Sequence, residues 1–129
     1  MAEETPQRLR FCRAARIKQS RDFGVVRQRG ERLVIGCLIA NWRRLPAEAH
    51  SRLGVVTGRR IGGAVVRSRA RRLLREGFRL HQHDLVVPVD LVLVARPSIA
   101  GKPFAAVEKD LLTTLRKARL LKQGMERVE

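Results

Sequence analysis

Apolar positions along this chain fall into short periodic segments separated by turn residues. The first helical segment opens at Ser20, which offers an N-cap. It has Asp22 in its first turn, carries Phe23 and Val26, and stops at Gly30. RLVIGCLIAN, residues 32–41, is β-like. Residues 43–51, with Pro46 and polar neighbours, read as a loop, and RLGVVTG, residues 52–58, reads as a second strand. A helix starts near Gly63 or Ala64, and residues 81–88 form a connection. DLVLVAR, residues 90–96, is a continuous apolar run typical of a buried strand. After a turn over 97–102, a last helix is predicted over 103–122, with Phe104, Val107, Leu111, Leu115 and Ala118 on one face. This order predicts one α+β domain, an α/β sandwich over residues 16–122. A flexible basic arm (1–15) precedes it and a frayed tail (123–129) follows. The strands before and after the middle helix are placed to be parallel neighbours, a crossover that is right-handed in nearly all proteins.

The middle helix is the unusual element. GAVVRSRARRLLREGFR, residues 63–79, packs Arg67, Arg69, Arg71, Arg72, Arg75 and Arg79 into little more than four turns. On a wheel of about 100° per residue, Val66, Ala70, Leu73, Leu74 and Gly77 share an apolar sector. Arg67, Arg71, Arg75 and Arg79 form an i, i+4 ladder on the other side. Ser68 and Arg72 fill that side and Arg69 sits at its margin. Like charges at this spacing are mildly destabilising, and a bound polyanion reverses the sign. Glu76 offers one carboxylate among six cations, so it relieves little. The plain alternative is a solvated surface helix, but such helices mix charge signs. Upstream, Arg59 and Arg60 lie in the Gly-rich turn TGRRIGG, whose amides and following helix N-terminus suit phosphate, although the glycines also serve simply to turn the chain.

Composition sharpens the picture. Lys plus Arg is 28 and Asp plus Glu is 12, a net charge of +16 in 129 residues. Self-repulsion on that scale opposes folding and points to an anionic partner. Arginine greatly outnumbers lysine, which favours bidentate phosphate recognition. No apolar run approaches the roughly 20 residues of a membrane span, and the acidic start of the chain does not read as a secretory leader. The expected location is the cytosol, with Cys12 and Cys37 as reduced thiols and a disulfide between them as the alternative. The carboxylates are scattered, and His81 and His83 form an HxH without an obvious third ligand, expected as exposed loop. No catalytic or metal-binding set is predicted on the protein.

The segment RLGVVTGRRIGGAVVRSRARRLLREGFR resembles the bacterial ribonuclease P protein component. That family's pattern is an Arg-x-Gly strand, a Ser-Lys-Lys turn, Gly-Asn-Ala-Val, then Arg-Asn-Arg-x-Lys-Arg-x-x-Arg-Glu. Arg52, Gly54, Arg67, Arg69, Arg72, Arg75, Glu76 and Phe78 match directly, and Arg59, Arg60 and Arg71 match as Lys-to-Arg replacements. The opening helix fits through Phe23, Val26 and Gly30, and DLVLVARP fits the strand after the basic helix. Gly58, Gly63 and Ser68 depart from the pattern. So do Arg27 and Asn41, at or near positions where the family usually has aromatic residues.

The resemblance implies an αβββαβα fold with four strands and a left-handed crossover, so one strand must be hidden within residues 31–41. It also implies the protein subunit of an endoribonuclease whose catalytic core is RNA with bound Mg²⁺. That enzyme removes the 5′ leader of precursor tRNA. The implied surface for the catalytic RNA is Arg59, Arg60, Arg67, Ser68, Arg69, Arg71, Arg72 and Arg75. The implied leader cleft holds Phe23, Arg27 and Asn41. Three other readings share the basic face: a ribosomal-type RNA-binding protein, a DNA-binding module and a membrane-active helix. The DNA reading predicts Asn, Gln or Ser for base edges, whereas this helix offers almost only arginine. The strands and core count against the membrane reading.

Overall fold

The computed structural model describes residues 16–17 and 20–122; the predicted arm and tail, with Cys12, lie outside these described residues. The elements run α1 (Ser20–Arg29), β1 (Glu31–Ile35), β2 (Leu38–Arg44), β3 (Arg52–Val56), α2 (Ala64–His81), β4 (Val89–Ala95) and α3 (Phe104–Lys117). They build an α+β sandwich on a four-stranded sheet of order β1-β2-β4-β3.

The hidden strand comes from splitting the apolar stretch 32–41. Ile35 pairs with Leu38, so Gly36 and Cys37 form a two-residue hairpin turn. Gly36 has φ 55, the positive value that such turns require at their first central position. The turn is fixed from a distance, because the Asp110 carboxylate of α3 accepts a hydrogen bond from the Cys37 N–H at 3.0 Å. Burial, with the hydrogen bond and charge of Asp110, pushes the Cys37 thiol up to about 11. The strand β2 also runs on to Arg44, taking Arg43 and Arg44 out of the predicted loop.

As predicted, β3 and β4 are parallel neighbours joined through α2. Val89, Leu91, Leu93 and Ala95 face the helices together with Leu38, Ala40, Trp42 and Leu53. From the helix side come Ala70, Leu74, Phe78, Val107, Leu111 and Leu115. The last helix ends five residues before the predicted boundary. There Leu120 and Leu121 fold back into the core, and Leu121 bridges to Leu85.

The opposite face carries α1 and a smaller cluster of Ile17, Val26 and Val92, with Phe23, Val56 and Val94 packed against it. The register creates two cross-strand rows here: Val34–Ile39–Val94–Val56 and Arg32–Asn41–Val92–Gly54.

One buried ionic group ties the two strands of the crossover to α1. Asp90 is 1% exposed and takes both Arg52 Nε (2.9 Å) and Nη2 (2.8 Å), while Arg52 Nη1 reaches Asp22 of α1 at 3.4 Å. Hydrogen bonding to Asp90 holds the Arg52 guanidinium above its ordinary range, against the opposing effect of burial.

Candidate nucleic-acid interface

The start of α2 is built to expose cation. Ile61 is buried and anchors a short tight turn, Arg59–Ile61, leaving Arg59 and Arg60 exposed. Gly63 caps the helix in extended backbone without a side-chain hydrogen bond. The first turn contains no acidic residue, so nothing there competes with an incoming anion for the free amides.

The buried stripe of α2 is Ala70, Leu74, Gly77 and Phe78. It is rotated from the predicted sector: Phe78 enters the core, whereas Val66 and Leu73 are only partly buried. The large Phe78 ring, 3% exposed, fills the core under the sheet, and Val66 in the first turn packs against that core only partly buried. The arginines move with the rotation. Arg67, Arg71 and Arg75 flank the stripe and are half-buried, while Ser68 and Arg72 point outward and are exposed. Arg69 lies on the other flank.

Several guanidinium groups are held in place by neutral partners. Arg71 donates to Thr57 Oγ1 at 2.7 Å and to Ser68 Oγ at 3.1 Å, which gives Ser68 a positioning task. Arg69 donates to the Lys102 carbonyl at 2.7 Å. These bonds fix the groups without neutralising them. Burial, followed by the charges of Arg16 and Arg71, lowers the Arg75 pKa. The repulsion between like charges beside a half-buried guanidinium is relieved by a bound anion. Arg79 differs from the prediction. Glu76 accepts from its Nε (3.0 Å) and Nη2 (2.7 Å), so this pair is internally balanced and Arg79 leaves the cationic wall. The same hydrogen bond lowers the Glu76 pKa.

On the other face of the sheet, Arg27, Arg32, Ile39, Asn41 and Val94 line a cleft of about 310 Å³. The structure thus brings Arg27 and Asn41 together. Phe23 is not among these lining residues. Its ring packs on Gly54 at the far end of the Arg32–Asn41–Val92–Gly54 row: a Cβ built on Gly54 would lie 2.5 Å from Phe23 Cε1. Gly54 is therefore the seat of the Phe23 ring, and Gly54→Ala is expected to destabilise the fold by about 1–3 kcal/mol through overpacking. Urea unfolding monitored by far-UV circular dichroism checks this; an unchanged midpoint would mean the ring shifts freely. Arg32 was missed in the sequence because its pairing with Asn41 depends on the unrecognised Gly36–Cys37 turn.

His81 also departs from the predicted exposed loop. It ends α2, with its Nδ1 3.2 Å from Asp84 and its Nε2 2.7 Å from Glu108 of α3. The two carboxylates lie at opposite ring nitrogens, an arrangement that pins helices together. Among the described residues no group of three or more His, Cys, Asp or Glu is placed to hold a metal ion. None of the described helices is long and apolar enough to cross a membrane.

An arginine-faced helix on one side of a small α+β sheet, and a basic cleft on the other, are features of the nucleic-acid-binding class of protein. The Ribonuclease P family model matches residues 11–119. The ribonuclease P protein component of Brevibacillus brevis is 33% identical over 112 residues, covering 87% of this chain and 89% of that protein. That of Chloroflexus aurantiacus is 39% identical over 111 residues, covering 84% and 81%. Among solved structures, the RNase P protein of Staphylococcus aureus shares the fold with a TM-score of 0.77 at 24% identity, over 85% of this chain and all of that one. The Thermotoga maritima RNase P protein gives a TM-score of 0.70 at 27% identity, over 79% and 96%. The chain belongs to the ribonuclease P protein family.

Proposed function

We propose that this protein, as the protein subunit of ribonuclease P, holds the catalytic RNA with one face and the 5′ leader of precursor tRNA with the other. The observation that carries the reading is the α2 face, where Arg69 and Arg71 are oriented by Thr57, Ser68 and a backbone carbonyl and have no carboxylate partner among the described residues. Arg59, Arg60, Arg67, Ser68, Arg69, Arg71, Arg72 and Arg75 contact phosphates of the catalytic RNA. The cleft on the opposite face receives the unpaired leader. Because the Phe23 ring packs on Gly54 and the cleft is lined by Arg27, Arg32, Ile39, Asn41 and Val94, leader binding relies on the charges of Arg27 and Arg32 beside apolar Ile39 and Val94 more than on stacking.

The hydrolytic chemistry belongs to the RNA. We assign the required Mg²⁺ to the RNA subunit. The protein contributes field and position.

Arg72→Ala, and separately Arg67→Ala, should weaken binding to the catalytic RNA while leaving the fold intact. One lost phosphate contact lowers affinity by about fivefold at 150 mM salt and reduces the log–log salt slope by about 0.7–0.9. Filter binding with circular dichroism on the same samples checks this. Unchanged affinity in both variants would remove α2 from the interface.

A further inference from the structure

We propose that the C-terminal end of α3, together with Arg44 of β2, is a second contact surface for the phosphate backbone of the catalytic RNA, centred on Arg119. This rests on the reading of α2 as the first such surface.

The argument begins with the backbone. Arg119 has φ 62 and is the only non-glycine residue with positive φ among those described. The hydrogen bonds around it define its position. Leu120 N–H donates to the Leu115 carbonyl at 2.9 Å and Arg119 N–H to the Arg116 carbonyl at 3.0 Å. That pair is the Schellman ending of a helix, with Leu115 and Leu120 buried together, and Arg119 occupies the place that glycine fills with least strain. The fold itself needs only the left-handed turn there. A long cationic side chain at the strained position points to a use for that side chain.

The surroundings indicate which use. Arg44, Arg116, Lys117, Arg119 and Lys122 are all exposed. Among the described residues no carboxylate lies within ion-pair distance of Arg44, Arg116, Lys117 or Arg119. The nearby acids are engaged elsewhere: Asp110 holds the Cys37 turn, and Asp84 and Glu108 hold the His81 ring. Cations at a helix C-terminus also complement its dipole, which accounts for Arg116 and Lys117. It does not account for Arg119: backbone N–H groups take the Thr114, Leu115 and Arg116 carbonyls, and Arg44 Nη2 donates to the Ala118 carbonyl at 3.2 Å.

Geometry selects the occupant. The helix α3 packs beside α2 through Leu111 against Gly77 and Glu108 against His81, on the same face of the sheet. The leader cleft is on the opposite face. The RNA that lies over α2 is therefore the polyanion positioned to reach Arg119.

The test uses Arg119→Gly, which removes the side chain and relaxes the turn, and Arg119→Asn, which is neutral and tolerates the same backbone. Both are measured beside Arg72→Ala. Expected are a thermal midpoint equal to or above wild type for Arg119→Gly, an affinity for the catalytic RNA about fivefold lower at 150 mM salt in both variants, and a salt slope smaller by about 0.7–0.9. If Arg72→Ala weakens binding while both Arg119 variants bind as wild type, the inference is overturned and the α2 reading stands. If none of the three weakens binding, both fail. If the Arg119 variants bind catalytic RNA normally and lose affinity only for precursor tRNA in the assembled holoenzyme, the assignment to catalytic RNA is overturned.

Discussion

Affinity for the catalytic RNA should fall about a thousandfold between 50 and 200 mM monovalent salt. Each phosphate neutralised by a protein cation releases condensed counterions, with a log–log slope of about −0.7 to −0.9 per contact. The α2 surface supplies Arg59, Arg60, Arg67, Arg69, Arg71, Arg72 and Arg75, while Arg79 is excluded by its pairing with Glu76. Six simultaneous contacts over a fourfold change in salt give roughly 300- to 2,000-fold. Binding isotherms at four salt concentrations measure the slope. A slope near −1 would mean that the arginine face is not the contact surface, whatever the family relationship. The same reasoning expects multivalent anions to raise the thermal midpoint of the free protein, since a net charge of +16 opposes its own compaction.

The largest single-residue effect on stability is expected at Arg52. Replacing it with alanine leaves Asp90, 1% exposed, without its two short hydrogen bonds. Arg43 Nη2, 3.8 Å away, keeps an ion pair with Asp90 but is beyond hydrogen-bond distance. Stranding a buried carboxylate in this way costs about 3 kcal/mol. For a domain of this size the midpoint should drop by roughly 10–15 °C. The loss also releases the contact to Asp22, so α1 and the cleft proposed for the leader should loosen first. Calorimetry on Arg52→Ala, set against a double variant with Asp90→Asn, separates the buried charge from lost packing. The double variant should recover part of the loss; no recovery would assign the effect to packing. Arg52 matched the family pattern in the sequence, but its placement makes it a structural residue.

Local signals in the sequence carried far. The arginine spacing and apolar face of 63–79 placed α2 almost to the residue, and continuous burial identified β4. Long-range contacts account for what was not legible. The hairpin at Gly36–Cys37 is masked by apolar residues on both sides, and it is completed by Asp110, seventy-three residues away. The rotation of α2 that buries Phe78 is set by the sheet, which helical periodicity alone does not contain. Arg79 looked like one more cation until its geometry with Glu76 was visible. Arg27 and Asn41 lie together in the cleft on the outer face, and the Phe23 ring packs on Gly54, a glycine that the pattern matched without revealing why it must be small. His81 needed α3 to find its second carboxylate.

The central claim is that this protein lends positive charge and position to an RNA enzyme. The direct measurement is reconstitution: cleavage of a precursor tRNA by a bacterial ribonuclease P RNA at low Mg²⁺, with and without the protein. The account predicts leader removal at the mature 5′ end, strongly stimulated by the protein and lost when Arg67 and Arg72 are both replaced by alanine. No stimulation by a folded protein that still binds the RNA would contradict it, and would leave a general RNA-binding protein in its place.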